Sequence, residues 1–260
     1  MKRSILVTGA HRSGTTFVGS ILRRASGVGY VQEPFNPQYG IKGFDDWYTY
    51  ITAGSPEETR HRPLIESLLS GRARYRRRPA QQDGTARRMG RRLLGSRDSI
   101  EYLKASFLPW KRTLLLKDPI AALSSRWLHD TFNIRVVAMM RHPAGFAASN
   151  IRLNWEWFFF NRLMNDQRIM NDFLGDILGD TIPQELPLAE RSAVFWRFIY
   201  TVLDGYASSC SSFRLVRLED ISRDPQVEFR KLFDFLDLDF SPGISRLINE
   251  RTGSNNPVEA

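Results

Sequence analysis

The aliphatic run Ser4 to Thr8 breaks into Gly9-Ala10-His11-Arg12-Ser13-Gly14-Thr15-Thr16, and an apolar stripe at helical spacing follows. No other feature constrains the fold as strongly. A buried strand that turns through glycines into a helix aims backbone N–H groups and the positive end of the helix dipole at one spot, an anion site. Phe17, Val18, Ile21 and Leu22 mark a helix over Thr15 to Ala25, which Gly27 stops. The spacing nearly matches the nucleoside-triphosphate loop G-x-x-x-x-G-K-[ST], but Thr15 stands where that loop carries its lysine. A nucleoside triphosphatase is therefore disfavoured. Arg12 with the hydroxyls of Ser13, Thr15 and Thr16 around Gly14 is left to hold the anion.

Strand-then-turn patterns recur at Thr113 to Leu116 before Lys117-Asp118-Pro119, at Ile134 to Met140 before Arg141-His142-Pro143 and a helix, and at Phe213 to Leu218. Asp224 caps a later helix with Pro225 at its first position and Phe229, Leu232, Phe233 and Leu236 as its buried stripe. Strands separated by helices need crossover connections, which predicts a mostly parallel sheet with ligands at the carboxyl ends of its strands. The expected fold class is α/β, a P-loop-like three-layer α/β/α sandwich forming one domain over 1–260. Segments at about 44–103 and 151–187 interrupt the repeat and read as helical insertions shaping an acceptor cleft. Within the second, the aromatic run Trp155 to Phe160 reads as core rather than as a sugar platform.

Charge narrows the partners. The formal net charge is +9, and ten arginines lie between Gly71 and Asp98 with Asp83 the only acid among them. That stretch reads as a solvated insertion, with peripheral contact to an anionic surface as the other option. No zinc-ligand cluster, helix-turn-helix or RNA-recognition aromatic motif is present, so nucleic acid is not an expected partner, and no metal is expected. Cys210 is the only cysteine, the opening run turns into the glycine loop too early for a signal peptide, and no apolar stretch reaches the ~18 residues of a membrane span. A cytoplasmic protein is expected.

The loop Arg12-Ser13-Gly14-Thr15-Thr16, together with Arg141 and the Ser149 eight residues after it, resembles the sulfotransferase family that uses 3′-phosphoadenosine-5′-phosphosulfate (PAPS). The resemblance covers roughly Ser4 to Val31, Leu114 to Ile151 and Phe213 to Leu238, not the insertions. It implies PAPS as co-substrate, adenosine 3′,5′-bisphosphate as product, the loop at the 5′-phosphosulfate and Arg141 with Ser149 at the 3′-phosphate. A sulfuryl group carries one negative charge fewer than a phosphoryl group, so an arginine and backbone donors can replace stabilisation that kinases draw from metal. Val216 to Ile221, followed by Asp224-Pro225, is similar to the family's last core strand and helix, with Glu219 as scaffold. Arg251-Thr252-Gly253-Ser254-Asn255-Asn256 is similar to a basic glycine loop that closes over the nucleotide, which adds Arg251 and Gly253 to the donor site.

Transfer to a hydroxyl needs a base. Glu33, in Tyr30-Val31-Gln32-Glu33-Pro34-Phe35, follows the second strand, where carbohydrate-type and bacterial members place a glutamate. Many cytosolic members use a histidine after the third strand; here Lys117-Asp118-Pro119 stands instead. The resemblance therefore implies Glu33 as base, Lys117 as helper, and a glycan or glycolipid as the hydroxyl-bearing acceptor. His11 is the rival base or a residue that shapes the turn, and Asp118 is a helix cap. A P-loop kinase acting on a small molecule, with Asp118 as a metal-binding aspartate, is the alternative.

Overall fold

The computed structural model describes residues 2–76, 97–154, 157, 159–174 and 186–253. Five strands, β1 (Arg3–Gly9), β2 (Val28–Gln32), β3 (Thr113–Lys117), β4 (Arg135–Met140) and β5 (Phe213–Arg217), form one sheet in the order β2-β3-β1-β4-β5. Every neighbouring pair is parallel. The α/β class with a parallel sheet is as the sequence implies.

Side-chain alternation along the strands splits the core in two, because successive residues point to opposite faces. Leu6, Leu114, Leu116, Val136 and Ala138 enter one cluster; Ile5, Val7, Leu115, Val137 and Met139 enter the other. Helices α1 (Thr15–Leu22), α8 (Pro225–Phe235) and α9 (Pro242–Thr252) supply Val18, Phe229 and Ile244 to the second face. The first face is covered by α2 (Pro56–Leu69), α3 (Arg97–Phe107), α4 (Ser125–Phe132), α5 (Pro143–Leu153) and α6 (Leu188–Ser209). Helices on both faces of the sheet make three layers.

Several boundaries differ from the sequence reading. β5 stops at Arg217, and Leu218 opens a short helix, α7 (Leu218–Arg223), instead of ending a strand. α1 ends at Leu22 rather than Ala25. Phe44, Tyr48 and Ile51, assigned to an insertion, are buried in the same cluster as Leu6 and Leu116, so the stretch after β2 is part of the main core. Trp157, Phe159 and Phe160 are also buried there, and Trp157 lies outside any helix. Most of the arginine-rich run (77–96), residues 175–185, Trp155, Glu156, Phe158 and Ser254 to Ala260 lie outside the described residues. No described helix is long and apolar enough to cross a membrane.

Candidate active site

β1 runs out at Gly9, whose φ is +138°; a Cβ there would fall 2.2 Å from the Met139 carbonyl oxygen, so only glycine lets the loop pass β4. Gly14 is constrained twice, by φ +92° and by the Leu218 side chain, which a Cβ would approach to 2.8 Å. Between them Arg12 adopts φ +62°, and the Ser13 hydroxyl donates to the Ala10 carbonyl at 2.6 Å. α1 has neither a side-chain cap nor an acid in its first turn, so its leading N–H groups face the loop uncommitted to side chains. Thr15 is buried and Thr16 exposed. Two tyrosines absent from the sequence reading brace the turn. The Tyr200 hydroxyl donates to Met139 O (2.8 Å) and accepts from Ala10 N (3.4 Å), while Tyr48 accepts from His11 N (3.2 Å).

The structure gathers Arg12, Arg141 and Ser149 at the mouth of this loop. Arg12 Nε donates to Ser149 Oγ at 3.1 Å, and Arg141 Nη1 reaches the Arg12 carbonyl at 3.4 Å. Arg12 is exposed, Arg141 half-exposed and Ser149 buried, so the guanidinium groups face outward over a fixed hydroxyl. The scaffold behind them is hydrogen-bonded. Trp196 Nε1 donates to Arg141 O (2.7 Å), and the Glu219 carboxylate accepts the His142 N–H (2.9 Å). Arg251 is exposed in the last turn of α9 and Gly253 caps that helix, while the rest of the proposed closing loop lies outside the described residues.

Two strands away lies a different assembly. Register sets Lys117 beside both Val7 and Gln32, and Glu33 N donates to Lys117 O at 2.8 Å, which brings Glu33 to the carboxyl end of β3. Its φ of +42° turns the chain sharply before Pro34. The buried carboxylate accepts from the Lys117 ammonium on Oε1 and, on Oε2, from the Tyr39 hydroxyl and Asn36 Nδ2 (3.0 Å). Burial pushes this carboxyl up, but Lys117's charge and the hydrogen bonds from Lys117, Tyr39 and Asn36 outweigh it, and the net direction is down. Asp118 is fully buried, accepts from Phe35 N (2.7 Å) and Ile120 N (3.0 Å), and caps the 3-10 turn Pro119–Ala121. Burial, reinforced by the Glu33 charge, raises it to about 7.

His11 belongs to the loop beside Arg12, but its side chain is buried. Its ring packs among Phe146, Trp157 and Phe195, with Nδ1 2.9 Å from the Tyr48 hydroxyl. Burial lowers it to about 3, with the Asn150 amide opposing and the Arg12 charge adding. A neutral imidazole inside an aromatic cage shapes the turn and presents little basicity at neutral pH.

The family model for a sulfotransferase domain matches residues 2–257. The chain belongs to the sulfotransferase family. Among solved structures, this sulfotransferase is similar to a sulfotransferase domain from the curacin biosynthetic pathway, at 15% identity over 94% of this chain and 77% of that one, with a TM-score of 0.49. It is also similar to a sulfotransferase from Alicyclobacillus acidocaldarius (14% identity, 97% of this chain, 92% of that one, TM-score 0.42) and to one from Mycobacterium tuberculosis H37Rv (13%, 97%, 77%, 0.48). No curated protein matches it in sequence. Family membership makes sulfuryl transfer the reaction and sets the kinase alternative aside.

Proposed function

We propose that this sulfotransferase moves the sulfuryl group of PAPS to a carbohydrate hydroxyl, with Glu33 as the base. One observation carries the reading: a single carboxyl edge of the sheet presents an outward arginine–serine cluster at the glycine loop and a buried, fully partnered carboxylate two strands away. The loop suits a 5′-phosphosulfate, because its glycines leave no room for side chains and its N–H groups meet Arg12. Arg141 and Ser149 would take the 3′-phosphate, and Arg251 with Gly253 would border the nucleotide.

In the reaction the acceptor oxygen bonds to sulfur as the sulfur–oxygen bond to the nucleotide's 5′-phosphate breaks. The departing electron pair stays on that phosphate, where Arg12 and the loop N–H groups stabilise the growing charge. Glu33 receives the acceptor's proton, and Lys117 holds the carboxylate in place. A glutamate after β2, with no histidine after β3, supports a glycan acceptor. The single cysteine, Cys210, supports a cytoplasmic setting. Incubation with sulfur-labelled PAPS and a panel of glycans, glycolipids and small phenols tests the reading. Label on a glycan or glycolipid is expected, and label on phenols alone would overturn the acceptor class.

A further inference from the structure

The pole of the sheet opposite the candidate site has its own surface. α3 and the turn that enters β3 expose Leu103 (47%), Phe107 (66%) and Trp110 (61%), while Tyr102 and Ala105 of the same helix are buried. Leu103 and Phe107 stand one helical turn apart. Single exposed apolar residues are ordinary, but three large ones within 103–110 call for an occupant.

Charge selects it. From Tyr102 to Lys117 the chain has no Asp or Glu, whereas Lys104, Lys111 and Arg112 flank the apolar residues. Arg72 joins them from the end of the preceding segment, where a Cβ on Gly71 would lie 3.3 Å from the Phe107 ring. Arg72, Lys104 and Arg112 are exposed and have no ion pair among the described residues. Lys2 and Lys111 serve the scaffold instead, donating to Ala105 O (2.7 Å) and Val28 O (2.6 Å). Of the nearby acids, Glu101 pairs with Arg23 at 3.2 Å and Asp237 with Arg3 at 2.6 Å, which leaves exposed Asp239, across a shared cavity from Trp110 and Arg112, as the acid set against the three cations.

A soluble polyanion would use the cations and leave the aromatic ridge idle. A bilayer with anionic headgroups uses both, since aromatic side chains settle at headgroup depth while Lys and Arg reach phosphates. We infer that Leu103, Phe107 and Trp110, rimmed by Arg72, Lys104 and Arg112, dock this enzyme on an anionic lipid surface. Trp110 precedes the first residue of β3, whereas Lys117 ends it, so docking leaves the candidate site facing water.

Co-sedimentation of the full chain with phosphatidylcholine vesicles, with and without about one third phosphatidylglycerol, tests this. Binding is expected only to the anionic vesicles and should weaken as salt rises. Phe107→Ser with Trp110→Ser should lower the bound-to-free ratio about tenfold or more. Lys104→Gln with Arg112→Gln should do the same at low salt, with the thermal midpoint of both variants near wild type. No binding to anionic vesicles, or binding that the Phe107/Trp110 substitutions leave intact, would overturn the inference. So would a wild-type dimer in gel filtration that those substitutions dissolve, since the ridge would then serve a second copy.

Discussion

The two ends of the candidate site handle charge in opposite ways. At the β1–β4 mouth, Arg12 and Arg141 remain open to water and lean on neutral partners, a serine hydroxyl and a backbone carbonyl. At the β2–β3 end, Glu33 and Lys117 are both buried and neutralise each other, with Tyr39 and Asn36 filling the remaining lone pairs. Exposed cations with spare donors can take up an arriving anion with little reorganisation. A buried carboxylate held by three donors instead has its proton affinity set by its neighbours. In the function proposed above, the open end binds the donor and the buried end moves the proton, and four substitutions probe that division.

Glu33→Gln should have the largest effect. It keeps size and loses basicity, so label transfer from PAPS to the true acceptor should fall by ~10² to 10⁴. Near-normal turnover would move the base elsewhere. Lys117→Met should come next, because it strands a buried carboxylate, and chemical denaturation should register a loss of about 3–5 kcal/mol. Adding Glu33→Gln to that variant should restore part of the stability, which a simple packing defect would not allow. At the other end, Arg141→Ala should weaken adenosine 3′,5′-bisphosphate by ~1.5 to 3 kcal/mol in a calorimetric titration and leave adenosine 5′-monophosphate nearly unchanged.

Tyr39→Phe should be the mildest. Glu33 accepts a proton only when ionised, and its partners hold it below the usual carboxylate range, so the wild-type rate should fall only in acid. Removing the Tyr39 donor favours the protonated form, so the acidic limb of the pH–rate profile should move to higher pH with the neutral-pH rate largely kept. An unmoved limb would take Tyr39 out of the network.

Much of the strand-and-loop framework was legible because it rests on local signals. The Gly9–Thr16 loop, the turns after β3 and β4, and Asp224-Pro225 at the start of α8 each announce themselves within a few residues; Asp224 does accept the Val227 N–H at 3.2 Å. α6 was missed although its signal was present, since Phe195, Phe198, Ile199, Val202 and Leu203 follow helical spacing and are all buried. Leu218 misled because an aliphatic residue after Val216 continues a strand pattern, while its real task is to pack on Gly14. Tyr48, Tyr200, Asn36 and Tyr39 had no local signal at all. Their roles come from contacts such as Tyr200 to Met139, across 61 residues, and from a turn geometry at Glu33 that no periodicity encodes.

The division between a binding end and a proton-transfer end is tested most directly by titrating adenosine 3′,5′-bisphosphate into wild type, Glu33→Gln and Arg141→Ala side by side, with ATP and Mg²⁺ as the competing ligand. The account predicts equal affinity for wild type and Glu33→Gln, a weaker Arg141→Ala, and ATP with Mg²⁺ the poorer ligand throughout. A Glu33→Gln protein weakened as much as Arg141→Ala, or tighter binding of ATP with Mg²⁺, would contradict it.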